Sequence, residues 1–475
     1  MLVAGVDSST QSTKLVLCRA ENGMILDQRS APHPGGTECD PAAWWAALTQ
    51  AGEGLLSQAA AVGVAGQQHG MIVLDRAGQV IRPALLWNDL RSAGAAADLI
   101  KEYGGAEWWA THTGSVPTAS FTVTKLRWLA DHEPANAKRA EAVLLPHDWL
   151  TWKLRASDGR GAAGGGAAGG GAGEAVTDRG DASGTGYFST PDGTWLPDLA
   201  ASAVGHAISV PRVAQHAEVV GETSWGAALS AGTGDNMAAA LGLGLQPGDV
   251  AISIGTSGTV FAFSKVAAAD PSGAVAGFAD ATGHFLPLVC TINAGLVLSA
   301  IGSLLGASLD ELSSLALAST PGADGVTLLP YLDGERTPDR PNATGVLRGL
   351  TTQNATRENL ARAGVESVLV SLASVGNLLT RHGVERRRVL LIGGAARSEV
   401  VRKLAPGIVG SPVLVPAPGE YVARGAARQA AWALAGTAEP PLWPAPSAEE
   451  YLGEPHPEIL QRHELLRDDT AAWAR

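Results

Sequence analysis

Cysteine is nearly absent from this chain. Its 475 residues hold three, Cys18, Cys39 and Cys290, which are odd in number and far apart. No CxxC or other metal-ligand spacing occurs among them. A disulfide-stapled scaffold and a cysteine-built zinc site are thereby excluded, and a reducing, cytoplasmic setting is expected. Excess positive charge is missing too. Lys plus Arg number 34 against 46 Asp plus Glu, a net charge of −12. That balance argues against nucleic acid or an anionic membrane as the main partner, while leaving room for a locally basic phosphate site. The start lacks the basic segment and long apolar stretch of a signal peptide, and Asp7 interrupts its first apolar run. The most apolar later stretch, Ala294 to Leu309, is broken by Ser and Gly and reads as a buried helix rather than a membrane span. Several catalytic signatures are also missing. There is no GxxxxGK[ST], no HRD or DFG, no HExxH and no GxSxG.

What is present is a strand-turn-strand that occurs twice. The first copy runs Val3-Ala-Gly-Val-Asp7-Ser-Ser-Thr10-Gln-Ser-Thr-Lys14-Leu-Val-Leu17, the second Val250-Ala-Ile-Ser-Ile-Gly255-Thr256-Ser257-Gly258-Thr-Val-Phe-Ala-Phe263. Each is an apolar run, a tight turn of Gly, Ser and Thr, and a second apolar run. Backbone N–H groups at such turns make anion-binding concavities, and small residues let phosphate oxygens approach the main chain. Two such turns suggest two related domains facing one polyphosphate. Only the first carries a carboxylate, Asp7, suited to holding a metal. The length calls for two or three domains, and a 45% hydrophobic content supplies their cores.

Strands alternate with helices in both halves, which indicates an α/β architecture. Asp40 and Pro41 fit the N-cap and first position of a helix carrying Trp44, Trp45 and Leu48. Val62–Ala65 and Met71–Leu74 read as strands flanking the loop Gly66-Gln-Gln-His-Gly70, and Asp75–Gly78 as a turn. Helical stretches surround Leu126–Leu129 and Trp149–Leu154 and run from Arg357 to Leu379. Arg388–Ile392 is a strand entering the turn Gly393-Gly394-Ala-Ala-Arg-Ser398. Val413–Pro416 and Ala423–Leu434 form a last strand and helix. Residues 157–173, almost all Gly and Ala, cannot repay the ordering entropy of glycine and are expected to form a mobile surface insertion. The Pro- and Glu-rich tail, 437–475, is expected to be peripheral.

Several residues have both a structural and a chemical reading. Gly232-Thr-Gly-Asp235-Asn236 places Asp235 at a helix start, either as an N-cap or as a general base reaching into a cleft. His69 is either a satisfied structural histidine or, beside Gln67 and Gln68, a hydrogen-bond donor to a polyol. Trp87-Asn88-Asp89 with Arg91 is either a capped helix start or a sugar wall, one apolar face with several directional hydrogen bonds. Gly393-Gly394 can admit the flat face and ribose of a nucleotide, although the GxGxxG spacing is absent there.

Taken together, these motifs resemble the FGGY carbohydrate kinases of the sugar kinase, actin and Hsp70 superfamily. The resemblance spans 1–436, interrupted by the Gly/Ala segment. Ser120-Phe-Thr-Val-Thr-Lys125-Leu-Arg-Trp128-Leu-Ala-Asp-His132 fits the first family signature. Gly345–Leu350 through Asn359-Leu360 to Glu366 fits most of the second, with Gly364 a departure. The loops at Gly66–Gly70, Leu86–Asp89, Gly334–Pro338 and Ile392–Ser398 resemble the members that act on D-xylulose. The fold this implies is two ribonuclease H-like α/β domains around an interdomain cleft. Residues 1–244 would form the sugar-binding domain and 245–436 the nucleotide-binding domain.

The activity implied is ATP-dependent phosphorylation of D-xylulose at its 5-hydroxyl, with Mg²⁺. By resemblance Asp235 is the catalytic base. Gln68, His69 and Asn236 lie against the sugar, joined by the Trp87 and Asp89 wall. Asp7, Thr10 and Lys14 belong to the first phosphate hairpin, with Asp7 at the metal. Gly255, Thr256, Ser257 and Gly258 form the second, and Gly393, Gly394 and Ser398 hold the nucleotide. Two departures stand out. Ser9 replaces a phosphate-proximal glycine, and Gln68 replaces the usual Met before the substrate histidine. D-xylulose and ATP are the partners expected, with a homodimer left open. The alternatives are a kinase for ribulose, glycerol or gluconate, and a non-catalytic actin-like ATP-binding protein.

Overall fold

The computed structural model describes residues 1–156 and 174–473. The segment 157–173, expected as a mobile insertion, lies outside the described residues. The first sheet is built from β1 (Leu2–Ser8), β2 (Ser12–Arg19), β3 (Ile25–Pro32), β4 (Ala61–Gly66), β5 (Val219–Glu222) and β6 (Ala228–Ser230), in the order β5-β6-β4-β1-β2-β3. A short strand β7 (Thr233–Gly234) pairs in parallel with the end of β4. β1 and β4 are parallel and buried on both faces, which is why they read as continuous apolar runs rather than alternating ones.

The second sheet repeats this plan. Its strands are β8 (Asp249–Ile254), β9 (Gly258–Ala262), β10 (Ala276–Ala279), β11 (Phe285–Thr291), β12 (Arg388–Ile392), β13 (Val413–Pro416) and β14 (Ala448–Tyr451). The order is β10-β11-β9-β8-β12-β13-β14. In each sheet an antiparallel hairpin leads into parallel strands, β1 to β4 in one and β8 to β12 in the other. Both hairpin turns therefore sit at the carboxyl ends of parallel strands, the usual edge for ligand binding in open α/β sheets.

The helices that matter to the site are α1 (Pro41–Gly52), α2 (Thr122–His132), α3 (Pro146–Ala156), α4 (Arg179–Ala182), α5 (Asp235–Leu243), α6 (Gly295–Leu305), α7 (Leu309–Ala318), α8 (Arg357–Arg381), α9 (Glu399–Val409) and α10 (Tyr421–Ala435). α1 starts as its sequence dictates, with Asp40 accepting the Ala42 N–H and Pro41 in the first turn. The Ala294–Leu309 stretch forms α6 and the approach to α7. α6 is only half-buried: Val297, Leu298 and Ile301 enter the core while Leu296 and Leu304 are exposed. α8 is the one described helix long and apolar enough to cross a membrane, and most of its apolar window is buried inside the protein.

Two features depart from what local sequence suggests. α10 falls late in the chain but packs against β1, β4 and α5 of the first half. The approach is very close. A Cβ on Gly5 of β1 would lie 1.9 Å from the Ala423 carbonyl oxygen, and one on Gly425 would lie 1.8 Å from that of Ala238. The tail after Gly436 is not peripheral. It supplies the edge strand β14 and a helix, Pro457–Asp469, that buries Ile459 and Leu466. Trp443 is buried with its indole N–H on the Ala20 carbonyl.

Candidate active site

A cavity of about 300 Å³ opens where the two sheets face each other. Its lining includes Asp7 and Lys14 from the first hairpin, Asp235 and Asn236 from the start of α5, and Gly393, Gly394 and Glu420 from the second half. Asp7 and Lys14 are directly opposed in the β1–β2 register. The Ser9 hydroxyl donates to Asp7 Oδ1, so the residue that departs from the family pattern buttresses the carboxylate. Burial nevertheless raises the Asp7 carboxyl to about 6, against that hydrogen bond and the Lys14 charge.

Asp235 is the first residue of α5, and Gly234 holds the N-cap position. Capping is thus not its role here. Its Oδ1 accepts the Asn236 N–H at 2.8 Å and the Asn236 side-chain amide at 3.0 Å. The same amide donates to Gln68 Oε1 at 2.9 Å. A Cβ at Gly234 would lie 2.8 Å from Gln68 Cγ, so a glycine there lets Gln68 tuck beneath the helix start. The Asp235 side chain borders the cavity and is half-buried. Desolvation first, then the charges of Asp7 and Asp181, push its carboxyl up to about 8. A carboxylate so destabilised is a competent proton acceptor near neutral pH once a cation offsets Asp7.

His69 sits on the loop between β4 and the strand Ile72–Leu74, with φ +67°, in left-handed conformation. Its ring lies 4.9 Å from Phe121 and 5.6 Å from Phe278, centroid to centroid. Its Nδ1 is 2.6 Å from the Gly184 carbonyl oxygen. Burial, together with the charges of Lys125 and Arg336, lowers the imidazole to about 3, so it is neutral. A carbonyl cannot donate, so the single ring proton is on Nδ1 and Nε2 is an acceptor. The expectation that His69 acts as a hydrogen-bond donor does not fit this geometry, which leaves Nε2 able only to accept.

Thr10 and Trp87 meet directly, with the indole N–H donating to Thr10 Oγ1 at 2.9 Å. The first hairpin turn and the Trp87 loop are thereby joined. Asp89 is buried and holds Arg91 through its backbone N–H at 3.0 Å and Nε at 2.8 Å. The capped-helix alternative does not apply there, since the next helix begins at Ala93 with Ser92 before it.

A second cavity, of about 950 Å³, meets the first at Gly394 and Arg397. Gly255, Thr256, Gly394 and Ser398 line it, and Leu296, Leu309, Leu312 and Val365 supply apolar walls. Gly393 has φ +90°, and a Cβ there would lie 2.6 Å from the Ile254 carbonyl oxygen, so the turn is closed to any larger residue. Ser257 and Gly258 border neither cavity. Gly258 instead packs against Thr291 and Leu372, and the Ser257 carbonyl accepts the Gly255 N–H at 3.0 Å. Sequence reasoning missed Glu420 and the walls from α6, α7 and α8, and it singled out the Gly334–Pro338 loop without giving its Arg336 a role. The apolar face of α6 was visible in sequence, but not that part of it faces a cavity.

Two hairpin-bearing sheets, a cleft between them and a carboxylate on its floor define the two-domain sugar kinase class of the actin and Hsp70 superfamily. Residues 2–244 match the N-terminal domain of the FGGY family of carbohydrate kinases, and residues 250–434 match its C-terminal domain. The chain belongs to this family. It is 45% identical over 452 residues to the Xylulose kinase of Streptomyces coelicolor, covering 92% of this chain and 88% of that protein. It is 33% identical over 429 residues to the Xylulose kinase of Escherichia coli, covering 86% and 84%. The crystal structure of xylulose kinase from Bifidobacterium adolescentis superposes with a TM-score of 0.90 at 44% identity, over 98% of this chain and 99% of that one.

Proposed function

We propose that this chain transfers the γ-phosphoryl group of ATP to the 5-hydroxyl of D-xylulose in the cytoplasm. The carrying observation is Asp235, a carboxylate raised to about 8 on the floor of a cleft bordered by both hairpins, in a chain 45% identical to a xylulose kinase. Asp235 takes the proton from the 5-hydroxyl as its oxygen attacks the γ-phosphorus and the bond to the β–γ bridging oxygen breaks, releasing ADP. Asn236 and Gln68, joined at 2.9 Å, hold Asp235 and one side of the sugar. His69 accepts from a second hydroxyl through Nε2, and Trp87 gives the apolar wall. The larger cavity takes adenosine between its leucine walls and the Gly393-Gly394 turn, and Lys14 and the hairpin turns meet the polyphosphate.

Mg²⁺ fits this donor set. Among the described residues no cluster of three or more His, Cys, Asp or Glu forms a ready-made cage. A buried carboxylate such as Asp7, on a cavity it shares with Asp235 and Glu420, suits a small hard cation that keeps waters and phosphate oxygens as its other ligands. When bound, it neutralises charge on the transferring phosphoryl group. Positioning and charge neutralisation carry most of the barrier reduction in such transfers. The test is ADP release across a panel of xylulose, ribulose, glycerol and gluconate. A kcat/KM for xylulose at least tenfold above the others supports the assignment, and a preference for glycerol or gluconate overturns it.

A further inference from the structure

Behind Asp235 lies a fully buried group of titratable side chains, of which only Asp181 has entered so far, through its charge on Asp235. His147, the second residue of α3, places Nδ1 2.6 Å from Asp181 Oδ2 and Nε2 3.1 Å from Asp148 Oδ1. Asp178 completes the group from the turn before α4, and the Tyr187 hydroxyl borders it. Burial alone would lower the imidazole, but Asp148, Asp181 and Asp178 together raise it.

Two lines lead from this group to the site. Asp178 Oδ2 accepts the Thr233 hydroxyl at 2.7 Å, two residues before Asp235, while its Oδ1 accepts the Asp181 N–H at 2.9 Å. The Asp181 carbonyl accepts the Gly184 N–H at 2.9 Å, and the Gly184 carbonyl fixes the His69 ring. The loops themselves rest on the same residue. A Cβ at Gly232 would lie 2.5 Å from His147 Cδ2, and one at Gly66 would lie 2.8 Å from the His147 nitrogen of the main chain.

We propose that His147 and Asp181 form a buried positioning pair that sets His69 and Asp235 relative to each other, one through the Gly184 carbonyl and the other through the Asp178–Thr233 hydrogen bond. This rests on the roles given to His69 and Asp235 above. Neither His147 nor Asp181 touches substrate. One support for both residues means that the sugar's anchored hydroxyl and its reacting hydroxyl share one frame of reference. An error of about 1 Å in such a frame can cost on the order of 100-fold in rate.

Two measurements decide it. Thr233→Val should lower kcat by about tenfold or more with the ADP dissociation constant unchanged, and Thr233→Ser should restore kcat to near the parent value. The kinetics use whichever sugar the parent phosphorylates fastest, so a wrong substrate assignment does not disturb the test. Nitrogen NMR of His69 should show Nδ1 protonated and Nε2 bare in the parent, with both signals displaced in Asp181→Asn. His147→Gln should act in the same direction, and Asp181→Asn serves if that variant does not fold. A parent that phosphorylates no sugar would end the functional reading, while the His69 spectrum would still judge this inference. Full kcat in Thr233→Val, equal losses in the Val and Ser variants, or unmoved His69 signals in Asp181→Asn would each overturn it.

Discussion

Lys14 Nζ lies 2.7 Å from Glu420 Oε2, tying the first hairpin to the residue that precedes α10. Both side chains border the smaller cavity, so the cation expected to meet polyphosphate already has an anionic partner. Glu420 also opposes ionisation of Asp7. Glu420→Gln should therefore lower the KM for ATP several-fold at low salt, with a smaller change at high salt because the pair is part-exposed and screened. Lys14→Ala should raise it. Equal ATP KM in parent and Glu420→Gln at both salt concentrations would show that the ion pair does not compete with nucleotide.

Asp235→Asn should abolish nearly all sugar phosphorylation, with ADP affinity kept. A base of this kind contributes about 10²–10⁴-fold. The same substitution should stabilise the protein without nucleotide or Mg²⁺, in a pH-dependent way. With the carboxyl at about 8 in the folded chain and near 3.9 when unfolded, the folded state holds a proton that the unfolded state has released. Stability from this group is complete below the unfolded value and is lost as pH rises towards 8. The excess in Tm of Asp235→Asn over the parent should grow from pH 5 to pH 8 and then level off. A constant or shrinking difference would contradict the raised carboxyl.

His69→Ala should raise the KM for xylulose sharply and leave slow, sugar-free ATP hydrolysis intact, since the acceptor role proposed for it concerns only the sugar. His69 is held near 3 by burial and by Lys125, so it does not titrate around 6.5. A pH–rate profile should accordingly show no limb there that disappears in His69→Ala. Such a limb would mean that the imidazole is protonatable in the working enzyme.

Asp7→Ala should raise the Mg²⁺ concentration needed for half-maximal rate and depress turnover, with little change in sugar KM. Ser9→Gly removes the hydroxyl that favours the charged form of Asp7 and should move the Mg²⁺ requirement in the same direction by a smaller factor. Titration of activity against free Mg²⁺ at pH 7 measures both. An unchanged midpoint in Asp7→Ala would give Asp7 a structural role.

The two hairpins, the α5 start and the Gly393-Gly394 turn were legible in sequence because each is a local pattern of apolar runs and small turn residues. Their convergence was legible only through the repeat. What stayed hidden depends on distant partners. Nothing next to Lys14 announces Glu420, and nothing next to His147 announces Asp178 and Asp181. His69 was singled out in sequence, but which of its ring nitrogens carries the proton was not legible, since the atom that fixes it belongs to Gly184. Ser257 and Gly258 fit the turn motif but line neither cavity, and the turn is pinned to α6 through the Gly255 and Thr256 carbonyls.

The late position of α10 bears on how the chain is made. Until Ala435 has been synthesised, β1 and β4 lack the helix that covers Gly5 and Gly63. At a synthesis rate of roughly 5–20 residues per second, the interval after the end of α5 lasts on the order of 10–40 s. During that time the first half presents a flat face of glycine, alanine and valine to the cell, the kind of surface that nascent chains lose to aggregation or hand to chaperones. The first half expressed alone should inherit the same exposed face and be insoluble, and supplying the second half on a separate chain should rescue it.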